Sequence, residues 1–307
     1  MTQPIQGVHH VTSLASSARG VDSFFTRILG LRRVKKTVNF DAPDVYHLYY
    51  GNGLGTPGTV ITHFPFEGAK RGRPGTGEVS VTAFSVPLGS LAGWRDRFLG
   101  AAVQNLREDV HFGQNRLLFP GPDGEVLALV ESADSRAPWT GGGVDADMAI
   151  RGFHSVMLRL ADTAPTAQIL AFLGYTETQR EGETLRMTLP DNNGAGIVDL
   201  EISALPMAVQ GAGSVHHVAF AVADRATQDT LRANLTKAGM GVTPAIDRDY
   251  FHAIYFRTPG GVLFEIATNP PGFTRDEDPD HLGEALKLPR QHEHLRQRLE
   301  GGGLVPL

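Results

Sequence analysis

The sequence predicts an α+β chain made of four copies of one βαβββ module. Three observations carry this expectation. The same doublet, Val8-His9-His10-Val11 and Val215-His216-His217-Val218, opens a segment near each end of the chain. After each doublet, apolar alternation gives way to helical spacing that stops at a glycine, Gly30 or Gly239. Two segments between them repeat the same rhythm, giving four units of about 50 to 60 residues each, a size typical of a repeated supersecondary unit.

Unit one opens at the first doublet and ends near Phe66. Its helix, Gly20 to Leu29, carries Val21, Phe24, Phe25, Ile28 and Leu29 at helical spacing. Unit two runs from Glu78 to Glu131: a strand Val79 to Phe84, a helix around Leu91 to Phe98, the turn Pro122-Asp123-Gly124 and a strand Val126 to Leu129. Residues 132–150, with Pro138 and Gly141-Gly142-Gly143, read as a linker. Unit three, Arg151 to Ser203, has a strand from Gly152, a helix Pro165 to Phe172 that ends at Gly174, and a closing strand Ile197 to Glu201. Unit four has a helix Ala226 to Lys237, the turn Pro259-Gly260-Gly261 and a last strand Val262 to Ile266. The expected divisions are an N-terminal pair of modules at 1–131, the linker, a C-terminal pair at 151–268 and a tail at 269–307. In the tail, the acidic run Asp276-Glu277-Asp278 is expected in solvent, and Leu286 to Leu299 as a short helix over one edge of the fold.

Composition narrows the function classes. The formal net charge of −5 argues against a nucleic-acid surface, which would be basic. No apolar run reaches the roughly 20 residues of a membrane span. Met1 to Gln6 lacks the basic patch and apolar core of a secretory leader, so a cytoplasmic protein is expected. There is no cysteine, which removes disulfides, thiolate nucleophiles and Cys-rich zinc sites. Any metal must be held by His, Asp or Glu.

A histidine in a strand is ordinarily a hydrogen-bonded core residue. Two doublets, each framed by valines and each opening a repeat, are a stronger signal. Neighbours in a regular strand point to opposite faces, so one member of each doublet is expected to face a common site and the other to be structural. The third candidate is Glu265, flanked by Phe264 and Ile266 in an apolar strand, where a lone charge is costly unless paired. Two histidines and one carboxylate suit a non-haem Fe(II) with open positions. Mn(II) fits the same donors.

The chain resembles the vicinal oxygen chelate superfamily and, within it, the extradiol-type ring-cleaving dioxygenases that act on hydroquinones. The resemblance runs nearly end to end. It is carried by Gly7-Val8-His9-His10-Val11-Thr12, Tyr46-His47-Leu48-Tyr49-Tyr50, Gly55-Thr56-Pro57-Gly58-Thr59-Val60 and Arg151-Gly152-Phe153-His154-Ser155. Further on come Val215 to Val222, Arg257 to Glu265 and Gly272-Phe273-Thr274-Arg275-Asp276-Glu277-Asp278. It implies modules paired into two cupped sheets of the glyoxalase/extradiol dioxygenase type. It implies His10, His217 and Glu265 as iron ligands, and Arg248 and Tyr255 as catalytic residues near the ring. His9, Thr12 and His216 take supporting positions. The implied reaction puts both atoms of dioxygen into the opened ring of a hydroquinone or catechol-like substrate.

Other readings stay open. His63 follows Pro57 by six residues, as Glu265 follows Pro259, so it stands as a candidate fourth ligand or as an ordinary strand-end histidine. A fourth ligand would favour a glyoxalase-type isomerase or lyase; a cup without metal would be a small-aromatic binding protein. A homodimer is compatible with the sequence. Two ligand sets can be written. Units one and four give His10, His217 and Glu265. Units three and four give His154, His217 and Glu265, with His154 in the place of His10. The first is preferred, because only units one and four carry the doublet and the resembling family joins its first and last modules. Unit two offers Val81 and Ala128 at the corresponding places.

Overall fold

Among the described residues, sixteen strands and four main helices follow one another in four rounds of the same order. A computed structural model describes residues 4–307; Met1 to Gln3, part of the stretch read for a leader, lie outside the described residues. Module one is β1 (Ile5–Ala15), α1 (Ala18–Ser23), β2 (Arg32–Val38), β3 (Tyr46–Gly51) and β4 (Val60–Pro65). Module two is β5 (Glu78–Val86), α2 (Leu91–Gly100), β6 (Arg107–His111), β7 (Gln114–Pro120) and β8 (Val126–Glu131). Module three is β9 (Gly152–Leu160), α3 (Ala164–Phe172), β10 (Thr176–Glu181), β11 (Thr184–Thr188) and β12 (Ile197–Ile202). Module four is β13 (Val215–Val222), α4 (Arg225–Lys237), β14 (Ile246–Asp247), β15 (His252–Arg257) and β16 (Leu263–Thr268).

Local chemistry explains the helices. Ser17 caps α1 by accepting from the Gly20 amide, and Asp224 caps α4 by accepting from the Thr227 amide. The chain after α1 winds through a wider turn, Phe24–Ile28, which buries Phe24 and Phe25. Gly30, Gly174 and Gly239 follow their helices with positive φ, the left-handed geometry that ends a helix at little cost.

The modules pair to form two curled eight-stranded sheets. One runs β14-β15-β16-β13-β1-β4-β3-β2, joining modules four and one. The other runs β10-β11-β12-β9-β5-β8-β7-β6, joining modules three and two. Modules two and three, joined by the 132–150 segment that carries neither strand nor helix, share a sheet, whereas one and two, and three and four, do not. In each sheet the central contact is an antiparallel pair of first strands, β1 with β13 and β5 with β9. One large apolar core packs the helices against the convex faces of both sheets. Each concave face has a smaller cluster of its own.

The tail corrects one expectation. The acidic run does not stand free in solvent. Lys35 of β2, fully buried, reaches Asp276 at 2.6 Å and also binds Glu277, whose side chain is 4% exposed. A buried lysine demands such partners. Phe273 and Leu282 enter the first cup's cluster beside Tyr49 and Tyr250, and Leu286 bridges to Lys36, so the tail covers the free edge of β2. The expected terminal helix is a 3-10 segment, Arg290–Leu295, running into one short α turn, Arg296–Arg298. Among the described residues no helix is long and apolar enough to cross a membrane.

Candidate metal centre and cavity

Two β-bulges shape the site. Along β1, Val8 pairs with Phe220 and His10 with Ala219, so His9 is an extra residue. Along β13, His217 pairs with Thr12 and Val215 with Ser13, so His216 is extra there. The valines on both sides of each doublet therefore face the helix-side core, and both histidines between them turn into the cup. This overturns the expectation that His9 and His216 point to the opposite face. His9 Nδ1 lies 2.9 Å from His10 Nδ1, and His216 Nδ1 lies 2.8 Å from His217 Nδ1, contacts that a regular alternation would forbid.

The tautomers follow from the partners. Burial pushes the His9 ring down to about 3, so it is neutral. Its hydrogen bond to the Thr268 backbone favours the protonated ring and so takes its N–H. His9 Nδ1 is then an acceptor, and His10 must donate from Nδ1. That leaves the lone pair of His10 on Nε2. The second doublet repeats the Nδ1–Nδ1 contact, with burial lowering His216 to about 4.

These two Nε2 atoms meet the carboxylate of Glu265. His217 Nε2 is 3.0 Å and His10 Nε2 3.5 Å from Glu265 Oε2, and the two nitrogens are 3.3 Å apart. All three residues are buried, and neither Glu265 oxygen has a partner in hydrogen-bond geometry. Three potential metal donors thus converge on one point. Donors on one divalent ion with bonds of about 2.1 Å lie about 3.0 to 3.4 Å apart, which matches the set. Among the described residues this is the only such cluster of His, Cys, Asp or Glu.

The triad opens onto a cavity of about 260 Å3. Its charged and polar lining is Tyr255, Arg248, Asp41, Asn39 and His216, with the Phe40 ring against Arg248 and Phe64 near His216. Its aromatic and apolar lining is Phe40, Phe64, Phe66, Phe251 and Leu14, together with Tyr49 and His47. Arg248 donates from Nε to Tyr255 Oη at 3.3 Å and lies 3.6 Å from Asp41. Burial and the nearby Glu265 push the Tyr255 phenol well above its ordinary range, so it holds its proton.

The profile of the Glyoxalase/Bleomycin resistance protein/Dioxygenase superfamily matches residues 99–266. The chain is also 40% identical, over all of itself and 98% of the relative, to a protein of Bacillus subtilis (strain 168) provisionally named ring-cleaving dioxygenase MhqO.

The chain belongs to this superfamily.

A second relative is the chlorohydroquinone/hydroquinone 1,2-dioxygenase of Sphingobium indicum, 36% identical over 97% of this chain and 96% of that one. The crystal structure of a provisionally assigned dioxygenase from Bacillus subtilis superposes with a TM-score of 0.96 at 40% identity, covering 100% of this chain and 98% of the other. Glyoxalase I from Zea mays shares the fold, with a TM-score of 0.65 at 13% identity, covering 86% of this chain and 92% of its own.

Within this superfamily member, register settles where the remaining candidates stand. In module four, Ala219 pairs with Glu265; in module one the matching pair is Thr12 with Thr62. Thr62, not His63, thus occupies the place of Glu265. His63 points to the other face, 4.5 Å from the Phe25 ring, with neither nitrogen partnered. It is a core histidine and not a fourth ligand. The second cup shows why His154 differs from His10. His154 is the bulged residue of β9, and Ser155 occupies the ligand position, pairing with Ala83 as His217 pairs with Thr12. Val81 matches His10, and Asp199 matches Glu265. Asp199 accepts two bonds of 2.8 Å from Arg186, so a guanidinium supplies the positive charge there. The sequence reading did not single out His47, Tyr49, Phe251 or the 39–42 loop, all of which line the cavity. His47 and Tyr49 were legible as polar side chains two apart on one face of a buried strand.

Proposed function

We propose that this protein is an Fe(II)-dependent ring-cleaving dioxygenase of the extradiol type acting on hydroquinones. The single observation that carries the reading is the buried carboxylate of Glu265 converging with His10 and His217 in the lining of an aromatic cavity. The names of the two relatives that span the chain support the substrate class.

His10, His217 and Glu265 would hold the metal, which when bound supplies adjacent open positions for an ionised phenol oxygen and dioxygen. The protein's own groups do the rest. His9 and His216 fix the tautomer and tilt of the two histidine ligands. The aromatic wall of Phe40, Phe64 and Phe251 receives the ring and keeps water from it. Arg248 donates to the oxygen of Tyr255, and the Tyr255 hydroxyl, beside Glu265, keeps a hydrogen that can be given to a substrate oxygen as negative charge grows there. Arg248, 18% exposed in its side chain, adds a fixed positive charge at the same wall. Tyr255 therefore acts as a proton donor and not as a base.

The isomerase reading depended on a fourth ligand, and His63 faces away from the cavity. Anaerobic purification, metal analysis and oxygen uptake with a panel of hydroquinones and catechols test the proposal. One dioxygen consumed per ring opened, dependent on Fe(II), is expected. No uptake with any phenol, together with isomerisation of a thiol adduct of an α-ketoaldehyde, would replace it.

A further inference from the structure

The first cup holds two tyrosines in equivalent places. Tyr255 pairs with Glu265 across β15 and β16, and Tyr49 pairs with Thr62 across β3 and β4. Both line the cavity. Their settings differ. Tyr255 stands beside a carboxylate and an arginine. Tyr49 stands at the end of an uncharged chain: its Oη is 2.8 Å from His47 Nδ1, His47 Nε2 is 2.8 Å from Thr62 Oγ1, and Thr62 donates to Thr12 Oγ1 at 2.9 Å.

The direction of this chain is fixed. Thr62 has one hydrogen and gives it to Thr12, so it accepts from His47 Nε2–H. A neutral His47 then has only a lone pair on Nδ1, and Tyr49 must donate to it. The single hydrogen of Tyr49 is committed, and its oxygen presents lone pairs to the cavity. The Phe273 ring at 5.1 Å packs against Tyr49 and holds it there.

We propose that Tyr49 is a substrate-contacting residue that accepts a hydrogen bond from the ring hydroxyl that stays off the metal. This rests on the function proposed above. In a hydroquinone the two oxygens lie at opposite ends of the ring. One ionises at the metal; the other stays protonated, because an ordinary phenol titrates near 10. An uncharged O–H in a buried site is best met by a fixed, uncharged acceptor, and module one supplies one where module four supplies charges. A site built around such a bond rejects the analogue that lacks the hydroxyl. In a catechol both oxygens are adjacent, and this wall meets only ring carbon. His47 and Thr62 are positioning residues for Tyr49.

The test is anaerobic calorimetric titration of the Fe(II)-loaded protein with hydroquinone, phenol and catechol, in the wild type and three variants. The wild type is expected to bind hydroquinone about tenfold more tightly than phenol, the range for one buried hydrogen bond. Tyr49→Phe should erase that preference and leave catechol binding and iron content unchanged. His47→Leu should weaken the preference, and His47→Gln, which can accept and donate at the same ends, should keep most of it. A preference that survives Tyr49→Phe overturns this inference and leaves the proposed function standing. So does equal weakening of all three ligands, which would mark Tyr49 as merely structural. Failure of the wild type to bind any of the three overturns both.

Discussion

Removing the His9 ring nitrogens tests the reason for the doublet. In His9→Phe a ring of similar size stays, but His10 Nδ1–H loses its partner at 2.9 Å in a buried site. A buried donor left unpaired costs about 1 to 3 kcal/mol, and that cost falls most heavily on the state in which His10 must keep its proton on Nδ1. This corresponds to a loss in Fe(II) affinity of roughly 10- to 100-fold, the usual scale for a supporting partner of a metal ligand. The assay is anaerobic competition with a chromophoric chelator, with oxygen uptake measured again at saturating Fe(II). Activity should return in large part at high metal, because the three ligands are intact. The matched control is His154→Phe, which removes the bulged histidine of the other cup and should leave affinity unchanged. If His9→Phe binds Fe(II) as tightly as wild type, the two bulges do not serve the metal and the tautomer argument fails.

Other outcomes follow from the same structure. Lys35→Ala strands Glu277 and Asp276 without their buried cation and should lower stability by about 3 kcal/mol or more, read by urea denaturation. Glu125 is raised to about 7, first by burial, so the folded state holds a proton that the unfolded chain has already lost. Stability should therefore fall as pH rises from about 4.5 to about 7 and then level off. Glu125→Gln should flatten that part of the profile, and an unchanged slope in the variant would count against the assignment. Tyr255→Phe should lower kcat by about 100-fold or more with little change in KM, since its hydrogen acts only as charge develops; a purely KM effect would demote it to a binding residue.

Much of this was readable in the sequence, and the errors share one cause. Repeated doublets, glycine stops and the charged residue inside an apolar last strand were enough for four modules; the pairing of module one with four and the choice of His10 and His217 within the doublets also drew on the family resemblance. Residue counting then failed wherever a strand is irregular. A bulge adds one residue without a distinctive composition, so His9 and His216 were placed on the wrong face, and His154 was equated with His10 instead of with the bulged position. For His63 the fold supports the strand-end reading; the fourth-ligand alternative came from counting from Pro57, which ignores where β1 sets its register. Lys35 shows a signal that was present: a lysine between Val34 and the rest of a buried strand needs acidic partners, and the tail supplies two.

The central claim is that modules one and four share one metal centre. Iron content of anaerobically purified His10→Ala and His154→Ala, beside wild type, tests it most directly. Circular dichroism confirms that each variant is folded. The account predicts that His10→Ala loses bound iron and oxygen uptake, because it removes one of three converging donors, while His154→Ala keeps both. Iron retained without His10 and lost without His154 would contradict it and move the centre to the C-terminal half of the chain.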